Sequence, residues 1–218
     1  KSTVKEMPAQ ILSRKHTVAW TKGNWNNDVG LPLSILAMES GTRIGVFEAG
    51  VNHPGEMAPL RDLLEPDWGV ITNAGPVHIE FFGSVEAVAR EKAVMLEKIP
   101  RGGAAVLNMD GGCFDVLKTA CKCRVITVSI SGNSDYLCAP GGKRDETVIR
   151  ETASGESAAI RMPVPGMHNV SNALLAIAVA REHGMDWSEI KAGLESYRAL
   201  PMRWQEDVID GVIIIYDA

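Results

Sequence analysis

Apolar positions along the chain alternate between helical spacing and short unbroken runs. Over residues 2–14 (STVKEMPAQILSR), Val4, Met7, Ile11 and Leu12 share a helical face, and Pro8 is expected to kink the helix they predict. Residues 30–39 (GLPLSILAME) predict a second helix, and RIGVFEAG (43–50) a buried strand that ends at Glu48. EMAPLRDLLEP (56–66) reads as a helix stopped by Pro66, and DWGVITNA (67–74) as the next buried strand. SVEAVAREKAVMLEKIP (84–100) predicts a helix with Ser84 as N-cap, Glu86 in its first turn and Pro100 beyond its end. GAAVLNMD (103–110) follows as a strand, GCFDVLKTACK (112–122) as a helix and RVITVSI (124–130) as a strand. Residues 131–165 change character, being rich in Gly, Ser and charge, and short alternating runs such as ETVIRET and SAAIRMPV predict β-hairpins there. NVSNALLAIAVAREHG (169–184) predicts a long helix closed by Gly184, DWSEIKAGLESY (186–197) another capped by Asp186, and GVIIIYDA (211–218) a final buried strand.

Buried strands alternating with helices imply an α/β fold with a mostly parallel, doubly wound sheet covered on both faces. Such sheets bind ligands outside the carboxyl ends of their strands. Polar residues collect at those ends: Glu48 at one, Asn73 to Glu80 in VITNAGPVHIEFFGS at a second, and Asp217 at a third. The composition, 45% hydrophobic and 22% charged over 218 residues, is that of an ordinary globular protein. A net charge of −5 argues against a nucleic-acid partner. No apolar run is long enough to span a bilayer, and no secretory h-region opens the sequence. The four cysteines (Cys113, Cys121, Cys123 and Cys138) lack zinc-site spacing and read as reduced thiols of a cytoplasmic protein. A chain that opens on Lys1 reads as a piece of something longer.

Several short stretches carry candidate chemistry. KST (1–3) runs straight into a helix, which is how a P-loop ends: amides and the helix N-terminus hold phosphates, Lys reaches their oxygens and the hydroxyl ligates Mg²⁺. Glu48, just past GVF, is placed to hold Mg²⁺ as an acid at a strand end does in nucleotide-binding folds. His78 is a candidate metal or phosphate ligand. Lys92 has Ala89 and Val88 behind it on its helix and so faces apolar neighbours, where a lysine either snorkels or is chemically modified. GNWNNDVGLP (23–32) supplies donors, acceptors and close backbone approach, and PGMHNVSNAL (165–174) puts His168, Asn169 and Asn172 at a helix start. A terminal Lys-Ser pair, a capping glutamate, a hydrogen-bonded loop histidine and a snorkelling lysine are the ordinary readings of the same residues.

In order, KST…GNWNNDVGLP…VFEAGVNHPGEM…ITNAGPVHIEFFGS…REK…LNMD…PGMHNVSNAL…MRW…YDA resembles the central ATP-binding domain of the Mur ligases, over essentially the whole sequence. Within that family KEM…IL, GNWNNDVGLPL and GVNHPGEM resemble the branch that adds D-alanyl-D-alanine to a UDP-MurNAc-peptide. The resemblance implies a sheet of P-loop NTPase type with a small β-hairpin region, residues 1–218 being the central of three domains. It also implies an ATP- and Mg²⁺-dependent amide ligase of peptidoglycan synthesis, in which ATP converts the precursor carboxylate to an acyl phosphate that an amine then attacks. By this resemblance Lys1, Ser2 and Thr3 end the P-loop, with Lys1 on phosphate oxygens and Ser2 on the metal. Glu48 and His78 match metal ligands, and Lys92 matches a lysine carbamylated to hold a second Mg²⁺. Asn26 and Asn27 face the phosphates and substrate, His168, Asn169 and Asn172 lie beside the adenine, Arg203 is near the γ-phosphate, and Asp217 is on the ribose hydroxyls. The family's Lys-x-Glu is here Lys92-Ala93-Val94, and the P-loop glycines are not in this sequence. The implied partners are the UDP-MurNAc-peptide and D-Ala-D-Ala, with no nucleic acid and no membrane insertion, in a cytoplasmic monomer. The 218 residues alone are expected to fold in large part but not to ligate. Another Mur-type ligase (folylpolyglutamate, cyanophycin or pseudomurein type) and a non-catalytic nucleotide-binding module are the alternatives.

Overall fold

The computed structural model describes residues 2–142, 146–198, 205–209 and 212–216. Helix α1 (Ser2–Leu12) leads to strand β1 (Val18–Trp20), α2 (Gly30–Leu36), β2 (Ile44–Val46), α3 (Met57–Leu64) and β3 (Trp68–Ile71). A short α4 (Ile79–Phe82) precedes α5 (Val85–Ala93), which tightens into a 3₁₀ turn at Val94–Leu96. Then come β4 (Ala104–Asn108), α6 (Phe114–Ala120), β5 (Arg124–Ser129), β6 (Tyr136–Ala139), β7 (Glu146–Glu151), β8 (Ser157–Arg161), α7 (Met167–Glu182), α8 (Trp187–Glu195), β9 (Gln205–Ile209) and β10 (Val212–Tyr216).

The main sheet has six strands in the order β3-β4-β5-β6-β7-β8. Its first four are parallel, and β6, β7 and β8 are antiparallel neighbours. The expected hairpins therefore exist, but they extend the parallel sheet instead of forming a separate region. Asp135 makes the join: its Oδ2 accepts the N–H and the Oγ1–H of Thr127, both at 2.7 Å, which sets Tyr136 opposite Val128 in the ladder. The period of two along β4 and β5 sorts side chains to two cores. Ala104, Val106, Ile126 and Val128 pack in a cluster with α1, α7 and α8, and Ala105 and Leu107 in one with Leu96, Ile99 and Leu117. The sheet is thus covered on both faces, as expected. Helix α7 is buried without a break from Ala173 to Ala180, which an element packed on most sides allows.

The predicted caps form. Ser84 Oγ accepts the Ala87 N–H at 3.1 Å, Asp186 and Glu189 make a reciprocal capping box, and Gly184, just beyond α7, takes φ +76°. Two expectations need correction. Pro8 does not interrupt α1, because burial of Met7, Ile11 and Leu12 holds the helix on either side of the missing N–H. Within 211–218 the described residues Val212–Tyr216 (β10) pair antiparallel with β9 and not with the parallel sheet, and Val212 is exposed. The Asp210-Gly211 pair between them is a hairpin-turn signal in the sequence. Strand β1, too short for its pattern to show, pairs in parallel with β2 as a separate two-stranded unit. Among the described residues β2 pairs only with β1, and β3 only with β4. Both β2 and β3 line a cleft of about 900 Å³, along with Val4, Pro8 and Leu12 of α1.

The hairpins are fastened to α7 by Arg181, whose Nη2 donates to Glu151 Oε2 at 2.6 Å. Burial would raise the Glu151 carboxyl, but the Arg181 hydrogen bond and those from Ser154 and Tyr136 outweigh it and hold it below its ordinary value. Its contribution to stability is therefore present above the unfolded carboxylate's pKa and lost as pH falls through the lower folded value. In Arg181→Met the guanidinium's pull on that carboxyl is gone. The acid-side loss of stability below about pH 4 should shrink or change sign in urea-unfolding midpoints measured against pH. An unchanged decline would mean that the pair contributes nothing.

Candidate functional site

The carboxyl end of β2 passes through Phe47 to Glu48, which is only 5% exposed. Two groups from the segment after β1 hold it. Thr21 Oγ1 accepts the Glu48 N–H at 3.0 Å, and Asn26 Nδ2 donates to Glu48 Oε1 at 2.6 Å. Asn26 is placed in turn by Gly50, whose N–H donates to the Asn26 carbonyl at 2.7 Å. Gly50 also leaves room: a Cβ there would lie 2.8 Å from Asn26 Cγ. The other carboxylate oxygen, Glu48 Oε2, is buried with no hydrogen-bond partner among the described residues. A buried carboxylate oxygen without a donor is costly, and it is the ligand a hard divalent cation takes. The residue present fits such an ion.

Past β3, Lys92 Nζ donates to the Asn73 carbonyl at 2.6 Å. The helix face behind it is apolar as expected, since Val88 and Ala89 are buried. The ammonium does not end among those side chains, however. Lys92 is half-buried and reaches the polar end of β3. Glu48, Asn73 and Lys92 line the same cleft. His78 sits at the head of α4 with φ +57°, a left-handed conformation uncommon outside glycine. It is not among the residues lining that cleft, and among the described residues no three His, Cys, Asp or Glu side chains converge as a metal cluster.

Asn27 serves the backbone: its Oδ1 accepts the Gly30 N–H at 2.8 Å and starts α2. Ser2 is buried at the first position of α1, and Thr3 hydrogen-bonds the Tyr197 hydroxyl, which burial pushes up to about 12. At the start of α7, Asn169 is buried and donates to the Pro165 carbonyl at 2.8 Å. Its Nδ2 lies 3.0 Å from His168 Nε2, and its Oδ1 accepts from Asn172 at 3.1 Å. The His168-Asn169-Asn172 stretch is thus one connected unit. Lys1, Arg203 and Asp217 lie outside the described residues.

Two connecting residues escaped the sequence reading. Asn108, the last residue of β4, donates to the Thr72 carbonyl at 3.3 Å and to Ser171 Oγ at 3.0 Å. It ties the end of β3 to the first turns of α7. Glu91 accepts the Gly55 N–H at 3.0 Å and the Met57 N–H at 2.8 Å, and so anchors the start of α3 from α5. The available signals were an asparagine closing the apolar run GAAVLNMD and an acid directly before Lys92. The Asn26–Gly50 fit is open to a direct test. Gly50→Ala should destabilise the chain by about 1–3 kcal/mol, and most of that cost should vanish in an Asn26→Ala background. Equal costs in both backgrounds, by urea unfolding, would contradict the fit.

A family model described as the Mur ligase middle domain matches residues 1–180. The UDP-N-acetylmuramoyl-tripeptide–D-alanyl-D-alanine ligase of Escherichia coli is 33% identical over 214 residues, covering 93% of this chain and 46% of that protein. The protein of the same name from Bacillus subtilis is 33% identical over 219 residues, covering 100% of this chain and 47% of its own length. The crystal structure of MurF from Acinetobacter baumannii superposes with a TM-score of 0.89 at 28% identity, over 99% of this chain and 48% of that one. The MurF ligase of Thermotoga maritima in complex with ADP gives 0.83 at 25% identity, over 99% and 50%. The chain therefore spans about half the length of the curated relatives it matches. A family match over most of the sequence, close relatives and a shared α/β architecture together place this chain in the Mur ligase family, through its middle domain.

Proposed function

We propose that this chain is the central, ATP-binding domain of a ligase that joins D-alanyl-D-alanine to a UDP-N-acetylmuramoyl-peptide in peptidoglycan synthesis, with ATP and Mg²⁺ as cofactors. The observation that carries the reading is Glu48, a buried carboxylate with one oxygen pinned by Asn26 and the other unpartnered, in the same cleft as Lys92. The relatives at 33% identity are UDP-N-acetylmuramoyl-tripeptide–D-alanyl-D-alanine ligases, which supports this substrate pair over folylpolyglutamate or cyanophycin chemistry.

Phosphoryl transfer asks a protein mainly for positioning and for charge placed against the transferring group. On this reading Lys1, Ser2 and Thr3 meet the phosphates at the head of α1, while Asn26 and Asn27 border them from the segment after β1. His168, Asn169 and Asn172 meet the adenine, with Asp217 on the ribose and Arg203 near the γ-phosphate. Glu48 Oε2, Ser2 and His78 would be metal ligands, the carbamate of Lys92 would hold a second Mg²⁺, and the bound ions would neutralise charge on the phosphoryl oxygens. Carbamylation of Lys92 joins CO₂ to the neutral amine with loss of a proton. One N–H remains on Nζ, so the hydrogen bond to Asn73 can persist. The precursor carboxylate takes the γ-phosphoryl group and ADP leaves. The neutral amine of D-alanyl-D-alanine then attacks the acyl carbon, loses a proton and expels phosphate to form the amide.

In the full-length protein, Glu48→Ala and His78→Ala should each lower turnover by about a hundredfold or more, with little change in the unfolding transition. Near-normal turnover at saturating Mg²⁺ would remove that residue from the site. Lys92→Ala should be similarly impaired, and bicarbonate should raise the activity of a bicarbonate-depleted wild-type sample. Full activity of Lys92→Ala, or indifference to bicarbonate, would reject the carbamate.

A further inference from the structure

Lys5 lies in the first turns of α1 with a side chain only 3% exposed. Its neighbours on that helix, Val4, Met7 and Ile11, are buried apolar residues, so packing alone does not call for an ammonium there. Burying one is unfavourable unless every hydrogen finds an acceptor. Here all three do: Glu6 Oε1 at 2.5 Å, the Thr21 carbonyl at 2.5 Å and the Gly23 carbonyl at 3.1 Å. Glu6 is itself buried, and its Oε2 accepts from Trp20 Nε1 at 3.1 Å and Gln10 Nε2 at 3.4 Å.

The two carbonyls belong to the segment that grips Glu48. Thr21 is fully buried, and its hydroxyl accepts the Glu48 N–H. Gly23, at φ +54°, turns the chain toward Asn26, which donates to Glu48 Oε1. We propose that Lys5 is a positioning residue: it fixes the Thr21–Gly23 turn to α1 so that Thr21 and Asn26 occupy one side of Glu48 and leave Oε2 for a cation. The helix whose head is to meet the phosphates and the carboxylate that is to meet the metal are thereby set by one ammonium. This rests on reading Glu48 as a metal ligand.

The test is calorimetric titration of Mn²⁺ onto the full-length protein saturated with a non-hydrolysable ATP analogue, alongside the Mg²⁺ dependence of turnover. Lys5→Met should weaken Mn²⁺ binding by roughly tenfold or more, the effect of losing a partner that orients a metal ligand, and raise the Mg²⁺ concentration for half-maximal turnover in parallel. Adding Lys5→Met to Asn26→Ala should cost little more than Asn26→Ala alone, because both act through Glu48. A lowered melting temperature with unchanged Mn²⁺ affinity, or fully additive losses, would overturn the proposal. Should Lys5→Met not fold, Lys5→Gln, which keeps two N–H donors, is expected to fold with a smaller loss in the same direction. Unchanged affinity in Lys5→Gln, or failure of both variants to fold, would assign Lys5 to the fold alone. Glu48→Ala separates the two claims: if it leaves Mn²⁺ affinity unchanged, the Glu48 reading itself falls. If Glu48→Ala weakens binding and Lys5→Met does not, only the Lys5 proposal fails.

Discussion

Glu48 is taken out of water at the end of β2 with one oxygen bonded to Asn26 and the other without a hydrogen-bond partner among the described residues. An unpaired buried oxygen of this kind costs on the order of 1–3 kcal/mol, and a fold retains it only where the surroundings leave no other arrangement. Those surroundings are specific. Thr21 holds the backbone of Glu48, Gly50 makes room for the Asn26 side chain, and Lys5 fastens the Thr21–Gly23 turn to α1. Both direct bonds to Glu48 come from the one segment after β1, and that segment is held in turn by Lys5 of α1 and by the Gly50 N–H beyond β2.

The same logic links the remaining rim. Asn108 joins the Thr72 carbonyl at the end of β3 to Ser171 on α7, next to the Asn169–Asn172 pair. Glu91 and Lys92, adjacent on α5, reach opposite ways: one to the amides that open α3, the other to the Asn73 carbonyl. Apart from the Asn108–Ser171 bond, these links run from side chains to backbone groups, which hold position better than bonds between two flexible side chains.

How much of this was legible in the sequence depended on distance along the chain. The parallel core was legible because each strand is a local apolar run, and Glu48 because it breaks one. The caps at Ser84 and Asp186 are legible because their signals span only a few residues. Asn26 stood out by composition, but its partner lies 22 residues away and was not readable. Asn27 also stands out by composition, and its Oδ1 accepts the Gly30 N–H at the start of α2, a bond three residues long that the composition alone does not single out. Lys92 was placed on an apolar face because the helix period gives direction and not reach: its stem carries Nζ past Val88 and Ala89 to Asn73. Lys5 sat unnoticed within an amphipathic pattern, since burial of a lysine depends on acceptors 16 and 18 residues on. The three-residue β1 and the merging of the hairpins into the main sheet were set by tertiary pairing that no local pattern encodes.

The role of Glu48 Oε2 can be observed directly in crystals of the full-length protein grown with Mn²⁺ and a non-hydrolysable ATP analogue, using the anomalous scattering of manganese. The expected result is a manganese ion about 2.1 Å from Glu48 Oε2, the distance of a hard cation from a carboxylate oxygen, with Asn26 still donating to Oε1. A metal held by the phosphates while Glu48 Oε2 takes a protein donor would contradict the role assigned to this carboxylate.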